Sequence, residues 1–201
     1  MNLLIIQARM GSSRLPGKVL KKINNKPCLL ILMERVLLAR RVDKIVIATT
    51  RKKADKAIIK FCKKYNFNYF CGSEGDVLKR YYDCNLKYKG DTIIRVTSDC
   101  PLVDPAVIDK AIDIFDKKKA DYVANTIPPN TRKWPDGSDV EVFSKKALLI
   151  AYKKAKGDHR EHVTFYFWQS KHKFITVQLD NKYNWSRYRY TLDYDEDLIR
   201  L

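Results

Sequence analysis

Three cations, two hydroxyls and two glycines crowd into one short stretch near the start of the chain, Gln7-Ala-Arg-Met-Gly-Ser-Ser-Arg-Leu-Pro-Gly-Lys18. Gly11 lets backbone N–H groups come close to a ligand. Ser12 and Ser13 add hydroxyl donors, and Arg9, Arg14 and Lys18 supply positive charge. Backbone donors combined with mobile cations suit a polyphosphate. The stretch is not a P-loop: five residues separate Gly11 from Gly17 where that motif has four, and Val19 follows Lys18 where a magnesium-holding hydroxyl belongs. No G-x-G-x-x-G is present either. A surface turn that happens to be basic is the plainer alternative.

Further candidates are scattered along the chain. Asp99 closes an apolar run, Thr92–Val96, and Asp193 follows another, Tyr188–Leu192. Magnesium takes oxygen ligands, commonly one or two carboxylates plus substrate phosphates, so strand-end aspartates are suitable donors. Capping roles compete with that reading, since Asp195 and Asp197 stand close to Asp193. Asp139 and Glu141 alternate on a predicted strand and so share a face. Arg160, Glu161 and His162 form a polar cluster, predicted to serve an acceptor pocket or a subunit contact. His159 and His162 are three apart with no further ligands in view, which is not zincin spacing. Trp134, Trp168 and Trp185 are predicted to be core or interface residues.

The elements that must position these groups follow from periodicity. Strands are predicted at Leu3–Gln7, Ile45–Thr49, Asn68–Cys71 and Thr92–Val96, separated by helices at Pro27–Arg40, Lys53–Tyr65 and Asp76–Tyr88. Asp104-Pro105 opens a fourth helix, Pro105–Lys118, with an aspartate cap and proline at the first helical position. Such alternation means a mostly parallel sheet covered on both faces, an α/β three-layer sandwich. Ligands of such sheets bind at the carboxyl ends of the strands, which places the loops after Gln7, Thr49 and Val96 on one edge. The second half is more mixed. Strands are predicted at Tyr122–Asn125, Asp139–Phe143, Phe174–Gln178 and Tyr188–Leu192, helices at Lys145–Lys154 and His159–Gln169, and a Pro-rich loop at Ile127–Gly137. A last helix starting near Asp195 is short or cut off.

The chain has 201 residues, enough for one sizeable core. A single domain over 1–201 is expected, with 1–120 binding nucleotide and 121–201 binding the second substrate. The formal net charge is +17, an attraction to polyanions that does not by itself choose among nucleotide, nucleic acid and anionic membrane. Five cysteines, an odd number with no C-x-x-C pair, argue against a disulfide framework and for reduced thiols in the cytoplasm. The opening apolar run is too short for a signal peptide or a membrane span.

The 7–18 stretch resembles the N-terminal signature of cytidylyltransferases that activate acidic sugars such as KDO and acylneuraminate, nearest to their SpsF-type relatives. The resemblance continues in order through 72–81, Arg95–Leu102, Asp136–Phe143, Arg160–Thr164 and Tyr190–Leu198, and so covers almost the whole chain. It implies a nucleotide-diphospho-sugar transferase-like fold and transfer of CMP from CTP to a sugar with magnesium, releasing pyrophosphate. It implies metal ligation by Asp99 and Asp193, and catalytic roles for both together with Arg14 and Lys18. CTP contacts are implied for Ala8, Arg9, Gly11, Ser12, Ser13, Arg14, Lys18 and Arg80, with backbone around Thr49–Arg51 helping to read the base. Asp139, Glu141, Arg160 and His162 are then expected at the sugar, and a homodimer is expected, with no nucleic acid or membrane partner. The tail departs from the pattern, with Tyr194 and Asp195 where relatives often carry other residues. A nucleotide-sugar glycosyltransferase, a basic nucleic-acid-binding module and an inactive relative are the alternatives.

Overall fold

The structure is a computed structural model that describes residues 1–126, 133–170 and 173–201. Its frame is a seven-stranded sheet in the order β5-β4-β1-β6-β8-β7-β9. The strands are β1 (Asn2–Gln7), β4 (Lys44–Thr50), β5 (Tyr69–Gly72), β6 (Thr92–Thr97), β7 (Tyr122–Ala124), β8 (Glu141–Ser144) and β9 (Thr176–Gln178). β1, β4, β5 and β6 are parallel, whereas β8 runs antiparallel to β6 and to β7. The sheet is thus mixed but mostly parallel, and its β6–β8 pairing joins the two halves of the sequence.

Alternation along the central strands builds two cores. Leu4, Ile6, Ile94 and Val96 face one side, where α1 (Cys28–Val36), α2 (Lys56–Lys64) and α4 (Pro105–Lys118) pack. Leu3, Ile5 and Ile93 face the other, under α3 (Val77–Tyr88), α5 (Lys145–Lys154) and α6 (Phe165–Gln169). The near-continuous apolar run of β1 is what a strand covered on both faces requires. Asp104 caps as expected, its Oδ1 accepting from Ala106 N at 2.9 Å, and Asp76 caps α3 in the same way, its Oδ1 accepting from Lys79 N at 2.8 Å.

Register aligns the strand ends that matter. Gln7 pairs with Ala48 on one side and Thr97 on the other, so the loops after β1, β4 and β6 open on one edge. Three expectations need correction. The 188–192 segment forms no strand but a single bridge, Arg189 to Asp136. The helix expected over 159–169 breaks into a 3-10 turn at Gly157–Arg160 and α6, leaving His162 between them. Asp139 precedes β8 rather than alternating with Glu141 on it. A small hairpin, β2 (Lys22–Ile23) and β3 (Lys26–Pro27), turns through Asn24 and Asn25, both at positive φ. Of the loop expected at 127–137, residues 127–132 lie outside the described residues. No helix among the described residues is long and apolar enough to cross a membrane.

Candidate active site

The loop after β1 is folded on itself by Met10 C=O, which accepts from Ser12 N at 3.0 Å and Gly17 N at 2.9 Å. Gly17 sits at φ 70°, a left-handed turn that delivers Lys18 inward at the start of a 3-10 turn. The loop's base is tied to buried Asp55, whose Oδ1 accepts from Met10 N at 2.7 Å and whose Oδ2 pairs with Thr50 Oγ1. Asp55 stands immediately before α2, in a Lys-rich stretch, and is not among the residues singled out by the sequence. Gly11, by contrast, has open space around it and does not line the cavity described next.

The C-terminal segment crosses over this loop. Gly137, at φ 91°, lets it approach: a Cβ there would stand 2.4 Å from Thr191 N and 2.5 Å from Tyr190 C. Asp136 N donates to Tyr188 O at 2.9 Å, Tyr190 N to Asp136 O at 2.6 Å, and Leu192 N to the Asp99 carbonyl at 2.8 Å. That last bond sets Asp193 beside Asp99 despite their distance in sequence.

Between the two carboxylates stands Lys18. Its Nζ donates to Asp99 Oδ2 at 2.9 Å, to Asp193 Oδ1 at 3.0 Å and to Leu192 O at 2.9 Å. Arg14 reaches the same Asp193 Oδ1 at 2.8 Å and lies over the Tyr194 ring. Arg189 holds the other oxygen, Asp193 Oδ2, at 3.0 Å, and also pairs with Asp136 and Asp197. Asp197 in turn accepts from the backbone N–H of Asp193 and Tyr194, at 2.8 and 3.0 Å, fixing the turn that opens α7 (Asp195–Arg200). Burial pushes the Asp99 carboxyl up, but the Lys18 charge and the Thr97 hydroxyl outweigh it, so its pKa is lowered from the ordinary value. Asp99 Oδ2 and Asp193 Oδ1 converge on one ammonium, so a single cation can be reached by both, as a shared magnesium requires.

These groups line a cavity with a volume of about 340 Å³ at the carboxyl edge of β1 and β6. Ala8, Arg9, Ser12, Ser13, Arg14, Lys18, Arg80, Asp99, Asp193 and His162 all face it. Among the described residues, five cations, Arg9, Arg14, Lys18, Arg80 and Arg95, stand against three acids, Asp99, Glu161 and Asp193. Arg80 is 2% exposed, admitted by Gly72, whose Cβ would lie 2.7 Å from Arg80 Cγ. One Arg80 amine reaches Ser73 O at 3.1 Å, and its buried Nε has no hydrogen-bond partner among the described residues. Burial lowers the Arg80 pKa from its ordinary value.

A second cavity, about 270 Å³, shares Arg95 and His162 with the first. Asp139, Glu141, Tyr122, Thr164, Phe165 and Trp168 line it too. Arg95 is a residue sequence reasoning missed, although an arginine inside a buried strand is itself a signal. It lies opposite Glu141 in the β6–β8 register and pairs with it, and Glu141 also accepts from Tyr122 Oη at 2.5 Å. Burial opposes the Arg95 charge, yet Glu141 more than compensates and raises the pKa. Cys100 lies 3.8 Å from both Asp99 Oδ1 and Asp139 Oδ2, between the two cavities. Burial and these carboxylates keep its thiol protonated, with a pKa well above the ordinary value.

Arg160 is placed elsewhere. It pairs with Asp76, donates to Tyr152 O at 2.6 Å and lies over the Tyr152 ring, so it ties α3 to α5 and lines neither cavity. The Thr49–Arg51 segment does not line the first cavity. His159 bonds Gln169 at 2.6 Å while His162 stacks on Phe165, so the two imidazoles serve different neighbours. Trp134 is buried with Nε1 donating to Leu179 O at 2.8 Å, and Trp185 is exposed against Tyr183.

A cation-rich loop after the first strand thus meets carboxylates from two later segments on the wall of a strand-end cavity. The sequence profile of the family described as cytidylyltransferase matches residues 3–198. This chain belongs to that cytidylyltransferase family and is an enzyme of its kind. It is 36% identical over 203 residues to the spore coat polysaccharide biosynthesis protein SpsF of Bacillus subtilis, covering 97% of this chain and 82% of that one. A cytidylyltransferase from Leptospira borgpetersenii serovar Hardjo-bovis superposes with a TM-score of 0.91 at 31% identity, covering 98% of this chain and 82% of that structure. CMP:2-keto-3-deoxy-manno-octonic acid synthetase complexed with CTP shares the fold, with a TM-score of 0.69 at 17% identity over 99% of this chain and 95% of that one.

Proposed function

We propose that this chain transfers CMP from CTP to an acidic sugar with release of pyrophosphate, using magnesium, as a cytoplasmic step in surface polysaccharide synthesis. The observation that carries the reading is the meeting of Lys18, Asp99 and Asp193 at one point on the wall of a cation-lined cavity. The acidic-sugar part rests on the motif resemblance, and the polysaccharide part on the name of the SpsF relative.

The residues divide the work. Arg9, Arg14 and Lys18, with the Ser12 and Ser13 hydroxyls, hold the triphosphate and offset charge on the departing pyrophosphate. Arg80 offers its unpartnered Nε–H to the nucleoside end of the cavity. Asp99 and Asp193 would hold magnesium, which when bound would supply charge neutralisation. The sugar lies in the second cavity against Trp168 and Phe165, with Asp139, Glu141 and His162 around its hydroxyls. Its attacking hydroxyl enters through the junction that Arg95 and His162 share, so the two substrates are held in reach of one another.

A pyrophosphate-release screen tests this: each nucleoside triphosphate against a panel of acidic and neutral sugars, with magnesium and with EDTA. Release is expected only with CTP, magnesium and an acidic sugar. Release with another triphosphate, or undiminished in EDTA, would contradict the reading.

A further inference from the structure

The Lys18 ammonium satisfies all three of its N–H donors at the place a divalent ion would take: Asp99 Oδ2, Asp193 Oδ1 and the Leu192 carbonyl. Asp193 is further saturated by Arg14 on the same oxygen and Arg189 on the other. We propose that Lys18 is the resident cation of the free enzyme, so that a divalent ion binds only together with a nucleoside triphosphate. This deepens the metal-site reading above and rests on it.

The physical reason is charge and donor count. A bare divalent ion arriving at Asp99 and Asp193 meets an ammonium in place and two guanidinium groups on the second carboxylate. A triphosphate changes the balance by offering new acceptors to Lys18 and Arg14. Lys18 has a flexible four-carbon stem, so its ammonium can swing to a phosphate while its backbone stays in the turn. The ammonium then leaves the carboxylates to the ion. Metal and nucleotide therefore enter as a unit, and free metal does not fill the site of the resting enzyme.

The test uses Mn2+ as the probe, followed by electron paramagnetic resonance, with Mn2+–CTP in buffer as the blank. Wild type is titrated with Mn2+ alone and with CTP in the absence of any sugar, and Lys18→Met and Asp99→Asn are run beside it. The expected result is weak binding to wild type alone, with binding at least about tenfold tighter when CTP is present. Lys18→Met should bind Mn2+ without nucleotide at least about tenfold more tightly than wild type, because a like charge has been removed. It should also show a rise in melting temperature with Mn2+ that wild type lacks. Equal Mn2+ affinity of wild type with and without CTP would overturn the inference, as would Lys18→Met binding no better than wild type. The wild-type comparison decides even if Lys18→Met folds poorly. Asp99→Asn separates the two claims: if CTP-dependent Mn2+ binding survives it unchanged, the metal-site reading fails and the inference with it. If that binding is lost but the free-enzyme results go the wrong way, only the inference fails.

Discussion

Gly137→Ala should disassemble the active site without touching a residue that faces the cavity. A Cβ at position 137 would lie 2.4 Å from Thr191 N, 2.5 Å from Tyr190 C and 2.8 Å from Thr191 Cα, all backbone atoms that cannot rotate away. The φ of 91° is itself unfavourable for alanine; strain of that kind costs about 1–3 kcal/mol. If the segment moves off instead, three backbone hydrogen bonds go with it, from Asp136 N, Tyr190 N and Leu192 N, each worth about 1 kcal/mol net. Undocking therefore caps the cost at about 3 kcal/mol, on the order of a hundredfold in the population of the docked tail. Since Asp193 rides on that tail, kcat/KM for CTP should fall by about a hundredfold. Steady-state pyrophosphate release, with circular dichroism to show that the sheet persists, reads this directly. Gly157→Ala is the control: its φ is also positive, but nothing lies within 4 Å, so about 1 kcal/mol of stability and no activity should be lost. Near-normal kcat/KM in Gly137→Ala would refute the claim that close backbone approach assembles the site.

Other expectations follow from single contacts. Asp55→Ala removes the acceptor for Met10 N and Thr50 Oγ1; KM for CTP should rise about tenfold with kcat less affected, since buried donors lost this way cost about 1–3 kcal/mol. Glu141→Gln leaves the half-buried Arg95 guanidinium without its counter-charge, so thermal or urea unfolding should show a loss of about 1.5–3 kcal/mol. Much of that loss should return in the double variant with Arg95→Leu. The lowered pKa of Asp99 means that its pairing stabilises the fold fully above the ordinary carboxylate value of 3.8 and is lost as pH falls through the lower folded value. Asp99→Asn should accordingly flatten the acid limb of a stability-against-pH curve, and an unchanged limb would contradict the Lys18 pairing.

The parallel half of the fold is legible because its strands are short apolar runs followed by capped amphipathic helices, each a local signal. Asp104-Pro105 and Asp76 mark helix starts through chemistry that needs no tertiary context. The tail is different. Tyr188–Leu192 has the composition of a strand, but it lies extended along the Asp136–Ser138 turn, and only Gly137 and a single bridge reveal why. The helix expected around His162 fails because Glu161 and His162 close a turn back onto Asp158 O instead of continuing into α6. Arg14, Lys18, Asp99 and Asp193 are legible as candidates through their motifs, and the structure brings the four side chains together. Arg95 and Asp55 were missed because each acts through a partner distant in sequence, Glu141 and Met10. Arg160 sits in a family-like motif yet is absorbed by Asp76 and Tyr152, a competition that only packing decides.

The most direct test of the central claim is anomalous diffraction from crystals soaked in CTP and manganese. The account predicts a manganese peak within coordination distance of both Asp99 and Asp193, with the triphosphate lying along Arg9–Lys18. Manganese elsewhere, or a triphosphate that leaves that loop empty, would contradict it.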